Sequence, residues 1–281
     1  MRDIDCRQIS EAVSNLFQEA CVYLPEDVRA AIKRTRENEE SSVAQGVLDR
    51  ILENAEIASE EKIPLCQDTG TAVVFLELGQ EIHITDGDLY SAINEGVRQG
   101  YDKGYLRKSI VSQPYSARVN TKDNAPAIIY TDIVPGDKLK ITVMPKGGGA
   151  ENMARLAMLS PAHGRQGIID FVVNAVDEAG SNPCPPVIVG VGIGGTVEQT
   201  LMLAKKALLR EVGKPNPDVE HAELEKEILK RVNNLGIGSM GYGGKTTALA
   251  VHVEVFPSHI ASLPVATNLQ CHSARHKERI L

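Results

Sequence analysis

The 281-residue chain is 42% hydrophobic, enough to bury a core as one large α/β domain or as two lobes. Its net charge of -7 excludes a general nucleic-acid binder, which needs a clustered basic surface, and the one basic cluster, Arg275 to Arg279, is expected to be a solvated end or a subunit contact. No apolar run reaches the roughly 20 residues that cross a bilayer, and no signal-peptide apolar core follows Met1, so no membrane contact and a cytoplasmic location are expected.

From Ile9 to about Ser59 apolar residues recur at helical spacing, with Pro25-Glu26-Asp27 and Ser41-Ser42 as helix starts. Cys21 fits an apolar helical face and reads, with Cys6, as a buried structural thiol. Cys66-Gln67-Asp68-Thr69-Gly70 then forms a polar turn before a strand over Ala72 to Leu78. A helix over Asp88 to Tyr101 precedes strands at Ala127 to Ile133 and Leu139 to Met144, the second ending in Gly147-Gly148-Gly149, whose amides can approach a ligand closely. Further on come a helix over Gly164 to Ala179, a strand over Val187 to Val191, helices over Val197 to Arg210 and Val219 to Asn234, and strands over Ala248 to Val255 and Ile260 to Thr267. The expected architecture is α/β, a single domain over residues 1–281: a helical region 1–60, then an α/β region 61–281 of mixed β-sheet layers packed with helices.

Gly190-Val191-Gly192-Ile193-Gly194-Gly195 satisfies the G-x-G-x-x-G pattern between a strand and a helix. The acidic residue that should end a second strand is missing, because Glu211 falls at the end of the helix. Close strand-helix packing is therefore the leading reading and a nucleotide-binding regulatory module the alternative. Gly244-Lys245-Thr246 resembles the end of a phosphate-binding loop, but Ser239 stands where that pattern demands glycine.

Five cysteines in a chain this long do not make a disulfide scaffold. Cys66, Cys184 and Cys271 are too widely separated for a zinc-ribbon or ferredoxin motif, yet each lies in a polar or proline-flanked turn. Residue types alone leave a shared metal or catalytic site and a set of core thiols both open. Three thiolates would leave one iron of a cubane without a protein ligand, and such an iron can act as a Lewis acid on hydroxyl and carboxylate oxygens.

Taken together, Cys66-Gln67-Asp68-Thr69-Gly70, Lys146-Gly147-Gly148-Gly149-Ala150-Glu151-Asn152, Asn182-Pro183-Cys184-Pro185-Pro186 with its glycine run, and Leu269-Gln270-Cys271-His272 resemble the alpha subunit of class I fumarate hydratases over nearly the whole chain. The resemblance implies a 4Fe-4S hydro-lyase interconverting fumarate and (S)-malate, a tricarboxylic acid cycle reaction, with Cys66, Cys184 and Cys271 as cluster ligands and the fourth iron open to substrate. It further implies that Gln67, Arg107 and Gly149 bind the dicarboxylate substrate and that Asp68 and His259 are catalytic. L-tartrate dehydratase is the sibling alternative, although the Lys146 to Asn152 and Leu106-Arg107-Lys108-Ser109 segments look more like the fumarase version. Because the chain stops at Leu281, shortly after Cys271, the expected partner is a separate beta subunit in a heterotetramer of two alpha and two beta chains.

Overall fold

A computed structural model describes residues 1–281. Strand β1 (Arg2–Asp5) passes directly into helix α1 (Cys6–Val22), whose cap Asp5 accepts a hydrogen bond from the Arg7 amide at 2.7 Å. Helix α2 (Glu26–Asn38) opens with Glu26 and Asp27 in its first turn, where acidic side chains complement the helix dipole, and α3 (Ser42–Glu61) follows. Strands β2 (Thr71–Gly79) and β3 (Ile82–Thr85) precede α4 (Leu89–Lys103), which Asp88 caps by accepting from the Tyr90 and Ser91 amides. Then come β4 (Ile128–Val134), β5 (Leu139–Lys146), the single turn α5 (Gly148–Glu151), β6 (Arg155–Leu159) and α6 (Gly164–Ala179). The chain finishes with β7 (Val187–Gly194), α7 (Val197–Ala207), α8 (Val219–Asn233), β8 (Ala248–Phe256), β9 (Leu263–Gln270) and β10 (Lys277–Ile280).

These elements form two compact units. The first holds Met1–Leu24, Ala55–Gly148 and Arg275–Leu281; the second holds Pro25–Asn54 and Gly149–Ala274. In the first unit the sheet order is β10-β5-β2-β4, antiparallel except for the parallel β2–β4 pair, and β1 pairs with β3 separately. Its core joins one stripe of α1 (Ile9, Val13, Leu16, Phe17) to α4 and to the alternate β2 residues Ala72, Val74 and Leu76.

In the second unit the order is β6-β9-β7-β8, again antiparallel except for the parallel β7–β8 pair. All eight residues of β7 are buried, as a central strand covered on both faces requires. A Cβ on Gly190 would stand 2.1 Å from the Ala204 carbonyl oxygen, and one on Gly192 equally close to that of Thr200. The glycine run therefore lets α7 lie directly on β7, the packing reading of that motif.

Three departures from expectation have local causes. The last long strand starts at Leu263 rather than Ile260, because the chain first turns through His259, whose carbonyl accepts from the Ser262 amide at 2.9 Å. Helix α7 ends at Ala207, where Leu208, Leu209 and Arg210 each bond a carbonyl three residues back and tighten the last turn. The basic tail is not a solvated end: Lys277–Ile280 is strand β10, paired with β5, and Arg275 is only 1% exposed. Short edge strands such as β1, β3, β6 and β10 escape periodicity analysis because four or five residues contain too few repeats to register.

Candidate active site

In the first unit the Cys66–Gly70 turn carries the chemistry. Leu65 anchors its start by donating its amide to the Cys21 carbonyl at 2.8 Å. Cys66 is half-buried, Gln67 is exposed, and the Asp68 amide donates to the Cys66 sulfur at 3.4 Å. Each Asp68 carboxylate oxygen accepts from a backbone amide, Oδ1 from Gly70 at 3.0 Å and Oδ2 from Gly148 at 2.7 Å. One amide of the triple-glycine run thus serves the Asp68 carboxylate.

The turn is held from beneath by Tyr101, whose hydroxyl donates to the Thr69 carbonyl at 2.7 Å and sits close to that of Gly70. Burial raises the Tyr101 pKa well above its ordinary value, so the phenol remains a donor. Arg107 lies on the long loop after α4, and its carbonyl accepts from the Thr69 hydroxyl at 3.1 Å while its side chain is exposed. Asn124 closes the same loop by donating to the Gly70 carbonyl at 3.1 Å and accepting from the Ser109 amide at 2.7 Å. Asp68 and the backbone of Arg107 are therefore parts of one hydrogen-bonded assembly.

In the second unit Cys184 and Cys271 flank one end of the β7–β9 pair. Cys184 shortly precedes β7, Cys271 directly follows β9, and the register sets Ile188 opposite Gln270. The His272 amide and Nδ1 lie 3.3 and 3.0 Å from the Cys184 carbonyl, which joins the two cysteine turns. Cys184 has a φ of 55°, a left-handed conformation that costs an ordinary side chain energy and is common at functional turns. Gly149 belongs to the same end, since a Cβ there would stand 3.0 Å from the Asn182 carbonyl oxygen. Its helical turn is anchored by Glu151, which accepts from Lys205 at 2.5 Å and from Asn268 at 3.0 Å.

His259 does not share that end. It sits between β8 and β9, where its Nδ1 accepts from the Ala261 amide at 3.1 Å, and the length of β9 separates it from Cys271 by roughly 25 Å at strand rise. There it lines an open groove of about 430 Å³ with Arg165, His221 and Ile260.

None of the five cysteines forms a disulfide, and they divide by environment. Cys6 and Cys21 are buried, and burial pushes the Cys21 thiol up to about 12, which makes it a poor thiolate. Cys66, Cys184 and Cys271 are half-buried on turns. No three His, Cys, Asp or Glu side chains are gathered as a site for a single metal ion. Beside Cys271, the Gln270 side chain is 3% exposed and has neither its amide nitrogen nor its oxygen hydrogen-bonded. Buried amides left this way are costly, so this orphaned donor and acceptor, with turn-borne thiols nearby, fits a site that takes a bound group. Gln270 and Arg275 are the residues sequence reasoning missed; one reads only as a polar neighbour of Cys271 and the other as part of a basic tail.

A carboxylate fixed by amides and thiols displayed at sheet ends define an α/β protein of enzyme type. A family model described as Fumarate hydratase (Fumerase) matches residues 10–280. A protein of Methanocaldococcus jannaschii, provisionally named L(+)-tartrate dehydratase subunit alpha, is 44% identical over 273 residues, which are 95% of each chain. The L(+)-tartrate dehydratase alpha subunits of Escherichia coli strains UTI89 and K12 are 32% and 31% identical, covering 95% of this chain and 89% of theirs. The chain belongs to the fumarate hydratase family of hydro-lyases. No helix is long and apolar enough to cross a membrane.

Proposed function

We propose that this chain is the alpha subunit of a hydro-lyase that binds a 4Fe-4S cluster through Cys66, Cys184 and Cys271 and reversibly hydrates fumarate to (S)-malate with a beta subunit in an α2β2 assembly. The observation that carries the reading is the Cys66–Gly70 turn, where a half-buried thiol stands two residues from a carboxylate held by two amides, and the neighbouring Thr69 hydroxyl donates to the Arg107 carbonyl. When bound, the cluster supplies a Lewis-acidic iron that polarises the hydroxyl as a leaving group. A reducing, cytoplasmic setting suits five cysteines without a disulfide.

The chain's own residues then divide the work. The exposed Arg107 guanidinium offers a planar fork to one substrate carboxylate, with Gln67 and the Gly149 amide as further donors. Asp68 exchanges the proton at the carbon adjacent to the one that bears the leaving hydroxyl, and its two amide bonds fix the direction of its remaining lone pairs. His259 was expected to share that step. Its distance along β9 from Cys271 favours Asp68 alone within one chain.

The names of the relatives favour a second reading, dehydration of L-tartrate. Anaerobic co-expression with the beta subunit, followed by parallel assays of fumarate, (S)-malate and L-tartrate, separates the two. A kcat/KM at least tenfold higher for fumarate supports the first reading, the reverse order establishes the second, and inactivity on all three defeats both. Cys66→Ser, Cys184→Ser and Cys271→Ser should each lose the visible absorbance of the reconstituted cluster while Cys6→Ser and Cys21→Ser keep it. If either of the last two loses it, the ligand assignment fails.

A further inference from the structure

Arg275 heads the fully buried side chains of the protein by size, at 1% exposure. A buried guanidinium is costly unless its donors are used, so what it touches is informative. Its Nη1 donates to the main-chain carbonyl of Asp68. Its Nη2 lies against Gly147, where a Cβ would come within 3.1 Å of it, and the next amide, that of Gly148, is the one that holds Asp68 Oδ2 at 2.7 Å. A side chain at 147 would also stand 3.4 Å from that carboxylate oxygen, so glycine there lets cation, carboxylate and main chain close on one point.

The topology explains how the arginine reaches this place. Strand β10 runs antiparallel to β5 with Lys277 opposite Val143, so the residues just before Lys277 lie beside the end of β5 that leads into Gly147. Strand β2 starts at that same end, with Thr71 opposite Lys146, directly after the Cys66–Gly70 turn. The C-terminal strand therefore delivers one cation to the end of the first unit's sheet where Asp68 sits.

We infer that Arg275 is a positioning residue: by holding the Asp68 carbonyl and packing on Gly147 it sets the direction in which the Asp68 carboxylate points. The inference rests on the role given to Asp68 under Proposed function. A lysine supplies the charge but not the fork, and cannot bond the Asp68 carbonyl while spreading flat on Gly147.

The test uses the full chain with its beta subunit and, separately, amide NMR of the full-length alpha chain. Arg275→Lys and Arg275→Ala are expected to lower kcat by about a hundredfold, the scale of a misplaced catalytic group, with KM changed less than threefold. In Arg275→Ala, added guanidinium ion should restore at least a tenth of the lost rate. Without substrate or cluster, the Gly148 and Gly70 amide resonances, shifted by their bonds to the Asp68 carboxylate, should move toward the positions they take in Asp68→Asn. Arg279→Ala, on the strand that follows Arg275 and with an exposed ion pair to Glu19, should change none of these. The inference is overturned if both amide resonances stay at their wild-type positions in Arg275→Lys while only thermal stability falls. If Arg275→Ala does not fold, Arg275→Lys carries the decision. If instead Asp68→Asn is fully active, the reading of Asp68 fails, and the amide shifts still report whether Arg275 positions the turn.

Discussion

The two units share a sheet plan and use buried charge for different ends. Each has four strands joined by two antiparallel pairs and one parallel pair. In the first, the buried cation Arg275 holds the main chain of an aspartate whose carboxylate is half-exposed. In the second, the buried carboxylate Glu225 accepts from Arg210, from Asn216 at 3.1 Å and from the Val253 amide at 2.8 Å, which ties a loop and β8 to α8. Buried ionic groups are poor evidence of function by themselves. What separates the two cases is whether the network ends at a carboxylate that reaches the surface of a turn, as at Asp68, or at one buried among structural partners, as at Glu225.

That contrast is open to direct challenge. Asp68→Asn preserves shape and removes the proton acceptor, so the reconstituted enzyme should lose about 10²- to 10⁴-fold in kcat, while urea denaturation of the alpha chain stays near wild type. Glu225→Ala should do the opposite and strand Arg210, costing about 3–5 kcal/mol in a urea titration while kcat below the melting point is little changed. A variant that moved both readouts equally would erase the distinction between the units.

A smaller effect should appear with pH in the second unit. His252 is buried on β8 beside Ala207, whose carbonyl is 3.2 Å from its Nδ1; desolvation first, and then the Arg210 cation, lowers its pKa from 6.5 to about 4. Because the unfolded chain takes up this proton before the folded one, its contribution is intact above pH 6.5 and is lost as pH falls toward 4, up to about 3 kcal/mol. In chemical denaturation at stepped pH, His252→Gln should flatten the slope of stability between those values. A slope unchanged by the substitution would show that other groups carry the acid sensitivity.

Much of the architecture was legible because local rules and tertiary packing agree. Asp88 caps α4 as a cap residue before an apolar-periodic run should, and the α6 bounds follow directly from periodicity closed by Gly180. Cys21 was readable as structural because its neighbours recur at helical spacing, and its burial agrees. The turns that carry Cys66, Cys184 and Cys271 drew notice because thiols among polar residues and prolines are unusual in a core, and only the resemblance implied roles for these cysteines and for Asp68. The role of His259 came only from the resemblance, and the structure adds its place: it lies on the turn before β9, a strand's length along the chain from Cys271.

By itself, then, the amino-acid order determined which segments are helices and long strands, which thiols sit on turns, and the family, since each is written in local spacing and residue type. Only the tertiary structure decided that Gly148 holds Asp68, that Arg275 is buried beneath it, that Gln270 keeps an orphaned amide, and that the glycine run serves α7 rather than a nucleotide. These depend on pairs far apart along the chain, and which distant partners meet is set by strand register and helix packing, quantities that no short window of sequence contains.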